Sequence, residues 1–174
     1  MKKALFIIVP LIIISIIIYA LLGGFKKVDK SIEENTLVHI AGTEYIGKVG
    51  SDSLEMLFMQ AKDLVESEAT AIAIAIAYYG EPDLKTGAVH NFIGVAIGDE
   101  MIYEMPSGWE IKTFERSSSV KGCIEANVLA LPTPDDMLQE LKMYAIDKNV
   151  AVDSMFIEFY HGPGQLCVQL LGAE

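Results

Sequence analysis

The chain has 174 residues, is 52% hydrophobic and carries a formal net charge of −11. From Ser31 onward there are 8 basic and 23 acidic residues, a balance that argues against a nucleic-acid partner, because phosphates demand a basic face. Two cysteines and three scattered histidines give no metal-ligand spacing, and no cofactor or metal is expected.

Much of the apolar excess lies at the start. Ala4 to Leu22 holds no charge, and 19 residues in a helix rise about 28 Å, close to the thickness of bilayer hydrocarbon. With no small-residue cleavage site behind it, this segment is expected to be an uncleaved, single-span membrane anchor rather than a signal peptide. The protein is then expected at the membrane, with the side of the remaining chain undecided, since lysines flank the segment at both ends. Residues 1–30 form this anchor and a linker.

Beyond the linker, "TLVHIAGTEYIGKV" reads as a strand. "SDSLEMLFMQAKDLVESEA" follows, with Ser51 or Asp52 as a cap and Leu54, Leu57, Phe58, Ala61, Leu64 and Val65 on one helical face. In "ATAIAIAIAYYGEPD", Ile72, Ile74 and Ile76 alternate with Ala71, Ala73, Ala75 and Ala77, the period of a strand. Gly80, Pro82 and Asp83 end it, and "AVHNFIGVAI" returns as a hairpin partner. A connector with a strand near Trp109 to Phe114 and a serine loop at Ser117–Ser119 leads to a second round. There "VKGCIEANVLA" is a strand, and Thr133, Pro134, Asp135 and Asp136 start a helix. "SMFIEFYHGPGQ" and "LCVQLLGA" are the closing strands. Cys123 and Cys167 read as small buried thiols, with a disulfide left open.

The order strand, helix, strand, turn, strand thus occurs twice, and "YYGEP" aligns with "FYHGP". The expected fold is α+β: two pseudo-symmetric β-α-β-β modules, about 36–100 and 108–174, whose antiparallel sheets form a central cleft behind an N-terminal transmembrane helix.

Glu158, between Ile157 and Phe159 in "FIEFYHG", is a carboxylate in a strand that otherwise reads as buried, a costly placement unless something pairs with it. Strand alternation sends Phe156, Glu158 and Tyr160 to one face. If Ile157 and Phe159 seat the second helix, Glu158 faces the cleft, opposite Ala75 and Ala77 and flanked by aromatic rings. The competing reading pairs Glu158 with Lys121 or Arg116. Trp109 covers the cleft mouth or anchors packing, Tyr79 is assigned to the alanine side, and His161 is an exposed turn residue.

Taken together, "GTEYIG", "YYGEPD", "GVAI", "PSGWEIKTFERSSSVKGCIEA" and "FIEFYHG" resemble the gyrase-inhibitory-protein-like (GyrI-like) effector-binding family. That domain also occurs as the ligand-binding part of multidrug-sensing bacterial transcription activators. The resemblance covers residues 36 to 173 and implies paired β-α-β-β modules with a ligand cleft. It matches the family's acidic strand residue to Glu158 and its tyrosine strand end to Tyr78 and Tyr79. It implies binding of a small amphipathic, cationic molecule through Glu158, Tyr79, Phe156, Tyr160, Trp109, Ala75 and Ala77. Two alternatives stand beside it. One is a hydrolase acting on a strained electrophile, with Glu158 as general base and Tyr79 assisting; the other is a partner-binding domain without ligand.

Overall fold

In a computed structural model, the chain is described over residues 2–68, 70–98 and 105–173, with side chains from residue 8 onward. The connector expected between the two rounds falls partly on residues 99–104, outside the described residues.

Both internal helices form where their end signals put them. Helix α2 runs Asp52–Ser67, and the Ser51 side chain accepts the Leu54 N–H. Helix α3 runs Pro134–Lys148, where Thr133 accepts the Asp136 N–H, proline fills the first turn, and Asn149 closes the C-terminus in the left-handed region. The six strands are β1 Asp29–Lys48, β2 Ala71–Tyr78, β3 Ala88–Ile97, β4 Glu110–Glu125, β5 Val152–Tyr160 and β6 Gln165–Gly172. All neighbours are antiparallel and close a barrel in the order β1-β3-β2-β5-β6-β4. The α+β class therefore stands: helices lie outside an antiparallel sheet closed on itself.

Helix α1 spans Lys2–Leu21. Among the described residues, however, no helix is long and apolar enough to cross a membrane. This corrects the single-pass anchor, the membrane localisation and the membrane partner expected of Ala4–Leu22.

Strands β1 and β4 run longer than their sequence signals. β1 begins at Asp29, inside the expected linker, because residues 29–34 pair with β4 residues 118–123. The serine run expected as a loop lies within β4, and Ser119 is fully buried. The two strands read on either side of it are one. The reason is a paired irregularity: Asn35 adopts φ 53° and the ladder skips from Glu34–Ser118 to Thr36–Arg116. Such a kink re-aims the residues around it.

The barrel interior is built from Ile40, Ala73, Ala75, Ala77, Phe92, Phe114, Ile157, Phe159, Cys167 and Leu171. Alanines of β2 stand opposite the bulky residues of β5, Ala77 against Ile157 and Ala75 against Phe159, so small and large side chains share a narrow space. Outside the barrel, Phe156, Val168, Leu170, Val120 and Ile124 receive Met137, Leu138, Leu141 and Ala145 of α3. Gly122 permits this contact, since a Cβ there would lie 2.7 Å from a Leu141 methyl. The expected face assignment of β5 is thus reversed: Ile157 and Phe159 fill the barrel, and Phe156, Glu158 and Tyr160 lie on the helix side. Both faces of this strand carry large aromatic or aliphatic side chains, so alternation separated them without saying which one meets the helix.

Cys123 and Cys167 form a disulfide between directly opposed residues of β4 and β6, which corrects their reading as thiols. Unfolded without reductant, the full chain is expected to yield no cysteine to an alkylating agent. Reduction is expected to lower the unfolding free energy by about 4 kcal/mol, the chain-entropy value for so long a loop. Two alkylated cysteines in the unreduced protein would remove the bridge.

Candidate functional site

Glu158 is 4% exposed. In the sheet it stands between Ile76 of β2 and Val168 of β6, so its strand neighbours offer it no charge. Its partners are two hydroxyls. Tyr160 donates to Oε2 at 2.8 Å and Tyr78 donates to the same oxygen at 3.4 Å. The Tyr78 ring is stacked on Phe156 with centroids 4.6 Å apart, and Phe58 of α2 meets Tyr160 edge-on at 5.6 Å. Both tyrosines are therefore wedged in place by an aromatic neighbour.

Burial pushes the Glu158 carboxyl up to about 7, the two tyrosine hydrogen bonds hold it down, and nearby Asp135 adds to the rise. Burial and then the Glu158 charge push both tyrosine hydroxyls up, so they remain protonated donors.

These groups open on a cavity of about 400 Å³, within the range of small-molecule sites. Its walls come from three places: Val49 after β1, the β2–β3 hairpin from Pro82 to Gly87, and Pro134 and Asp135 at the start of α3. The charged residues lining it are Asp83, Asp135 and Glu158, all acidic. Asp83 is fixed by the N–H groups of Lys85 and Thr86, which hold its carboxyl below the usual range. Lys121 is paired with Glu33 at 3.5 Å, and Arg116 donates to the Glu115 carbonyl. Among the described residues no basic group pairs with Glu158.

Of the residues expected at the site, Glu158, Phe156 and Tyr160 come together in this cavity. Four do not line it. Ala75 and Ala77 are fully buried inside the barrel. Trp109 packs with Ala61, Leu64, Val95 and Ile97, seating α2 on the sheet. Tyr79 lies on the barrel side, where its hydroxyl accepts from the Lys112 ammonium at 2.5 Å. His161 also leaves this site; it stacks near Phe159 on the other face of β5.

Tyr78 and Asp135 line the cavity without being among the expected binding residues. Tyr78 ends β2 as Tyr160 ends β5, so Tyr78 rather than Tyr79 is the counterpart of Tyr160, and it carries the second hydroxyl. Asp135 lies in the first turn of α3, where its sequence signal is that of a helix start.

No protein-family model and no curated protein sequence matches the chain. Solved structures do share its fold. The C-terminal domain of EcmrR matches with a TM-score of 0.57 and 8% identity, over 86% of this chain and 99% of that one. EcmrR in a complex with DNA matches at 0.53 and 7% identity, over 84% of this chain and 58% of that one. A hydrolase from Listeria innocua matches at 0.55 and 9% identity, over 83% and 92%. At these identities the likeness is one of fold.

The raised carboxyl sets a pH dependence. A group whose folded value lies above its unfolded value stabilises the fold below the unfolded value and loses that contribution as pH rises. Between pH 4.5 and about 7 the Glu158 contribution is therefore expected to fall away, by about 3 kcal/mol for a shift of this size. Glu158→Gln should flatten thermal stability across this window and melt higher than the parent at pH 8. A variant that melts lower at pH 8 would show that the carboxylate is paired after all.

Proposed function

We propose that the protein is a small-molecule-binding protein of the GyrI-like effector-binding kind, and that the Glu158 cavity takes an amphipathic cation. One observation carries this reading: a buried carboxylate, held by two hydroxyls and, among the described residues, neutralised by no cation, in an aromatic cavity whose other charged residues are acidic. A ligand cation supplies the missing charge, and Phe156, Tyr78 and Tyr160 supply apolar and π surface for its body. The shared fold with the C-terminal domain of EcmrR supports the family resemblance carried by "FIEFY". In this reading the halves β1-α2-β2-β3 and β4-α3-β5-β6 are related by an approximate two-fold axis, with α2 and α3 flanking the cavity. The acidic charge of the chain supports a ligand other than nucleic acid.

A hydrolase is the second reading. It is favoured by the carboxyl value near neutrality, which suits a general base at physiological pH, with Tyr78 rather than Tyr79 as the assisting hydroxyl.

Calorimetric titration of the full chain with tetraphenylphosphonium and with an uncharged tetraphenyl analogue tests the first reading. The cation should bind more tightly as pH rises through about 7, because binding favours the ionised carboxylate. Glu158→Gln should weaken cation binding by on the order of 1–3 kcal/mol and leave the uncharged analogue unchanged. Equal loss for both compounds, or a cation affinity flat in pH, would refute the electrostatic role. Consumption of a strained electrophile such as an epoxide, abolished by Glu158→Gln, would establish the hydrolase instead.

A further inference from the structure

The alternation of β5 that sends Glu158 and Tyr160 to the helix side sends Phe159 and His161 to a second, larger cavity of about 610 Å³. It lies at the mouth of the barrel, where β1 runs on past its last pairing with β3 at His39–Ile97.

The wall of this cavity is organised by buried polar groups. Gln169, 1% exposed, donates through Nε2 to Glu33 Oε2 at 2.9 Å and to Ser119 Oγ at 2.8 Å. Ser119 in turn shares a 2.7 Å hydrogen bond with Thr36. Glu33 and Thr36 are three residues apart, yet both reach this network, which strict strand alternation forbids; the Asn35 kink makes it possible. On its other oxygen, Glu33 faces the Lys121 ammonium at 3.5 Å. The network therefore presents a fixed carboxylate beside an ammonium at the cavity wall. Packing alone has no use for it, since an apolar side chain at 169 would avoid the desolvation of an amide.

Beside this pair the cavity wall is aromatic. Lys121 sits 5.8 Å above the Phe159 ring, and the His161 ring lies nearly parallel to it, 22° off with centroids 6.3 Å apart. Burial and then the Lys121 charge keep His161 below its ordinary value, so near neutral pH it is an uncharged ring with one acceptor nitrogen.

We infer that this cavity is a second ligand site, built for a neutral polyhydroxylated molecule such as a saccharide. A small anion entering it meets Glu33 and Glu34, and a small cation must compete with Lys121 for Glu33. A hydroxyl uses both partners, donating to the carboxylate and accepting from the ammonium, and neighbouring ring hydroxyls span such a pair. The His161 nitrogen accepts from a further hydroxyl, and the His161–Phe159 pair offers an apolar platform to the C–H face of a sugar ring. This site stands independently of the Glu158 reading, because the two cavities share no lining residue.

The test is a ¹H–¹⁵N NMR titration of the full chain with glucose, galactose, mannose and N-acetylglucosamine. At least one sugar should saturably shift the amides of residues 33–39 and His161 while leaving those of Tyr78 and Tyr160 in place. His161→Ala, at an exposed position, and the isosteric Glu33→Gln should each weaken that binding roughly fivefold, the worth of one hydrogen bond. Glu158→Gln should bind as the parent does. The inference fails if no sugar gives saturable shifts up to its solubility, if the shifts map elsewhere, or if both cavity variants bind unchanged.

Discussion

Burial of the Glu158 carboxylate, with no cation beside it among the described residues, is the constraint on which this side of the molecule depends. A charge moved out of water needs compensation, and here it comes from two hydroxyls whose positions require much of the surrounding architecture. Tyr160 is held by Phe58, which requires α2 to lie on the sheet, and α2 is seated there by Trp109, Val95 and Ile97. Tyr78 is held by Phe156, which belongs to the core cluster that Met137, Leu138 and Leu141 of α3 complete. Each helix thus serves the carboxylate at one remove, by fixing a ring that fixes a hydroxyl. What hydroxyls do not supply is opposite charge, and the carboxyl value of about 7 records that deficit.

The barrel interior shows a graded version of the same problem. Its middle is dry and alanine-narrowed, with Ala73, Ala75 and Ala77 against Ile157 and Phe159. Its ends turn polar. At one end Lys112 is sandwiched over the Tyr79 and Phe92 rings and donates to the Tyr79 hydroxyl, beside the His90–Glu44 pair. At the other lies the Thr36–Ser119–Gln169–Glu33 network. The disulfide between Cys123 and Cys167 ties β4 to β6 one interior position along from the Lys121–Gln169 pair. It thereby ties β4 to β6 beneath the polar end.

Element types were largely legible in the sequence because the local signals agreed with one another. Caps at Ser51 and Thr133 fixed two helix starts, and the hairpin partner 88–97 followed from its apolar run. Three things were not legible, each for a physical reason. The join of β4 through Ser117–Ser119 depends on pairing with β1 residues far away in sequence, and serines carry no strand preference of their own. The face of β5 was undetermined because both of its faces carry large aromatic or aliphatic side chains. Which tyrosine lines the cavity was not legible because "YY" offers two candidates on opposite faces, and only the point where β2 ends puts Tyr78 there. Glu158 itself was legible, since a carboxylate in an apolar strand is an anomaly that local propensity does not explain.

Strand β5 is where these threads meet. Its even-numbered residues Phe156, Glu158 and Tyr160 build a cavity outside the barrel, and its odd-numbered Phe159 and His161 build another at the barrel mouth. One strand lines two cavities because side chains alternate with period two, and a slip of one residue would exchange them. The register is pinned on both sides. Ala77 and Ala75 accommodate Ile157 and Phe159 from β2, and β6 places Gln169 opposite Ile157 and Val168 opposite Glu158. A slipped β5 would drive the Glu158 carboxylate into the alanine-lined interior, away from both tyrosine hydroxyls, and would push Ile157 and Phe159 out toward α3. The cost of burying the Glu158 carboxylate away from the two hydroxyls therefore penalises the wrong register.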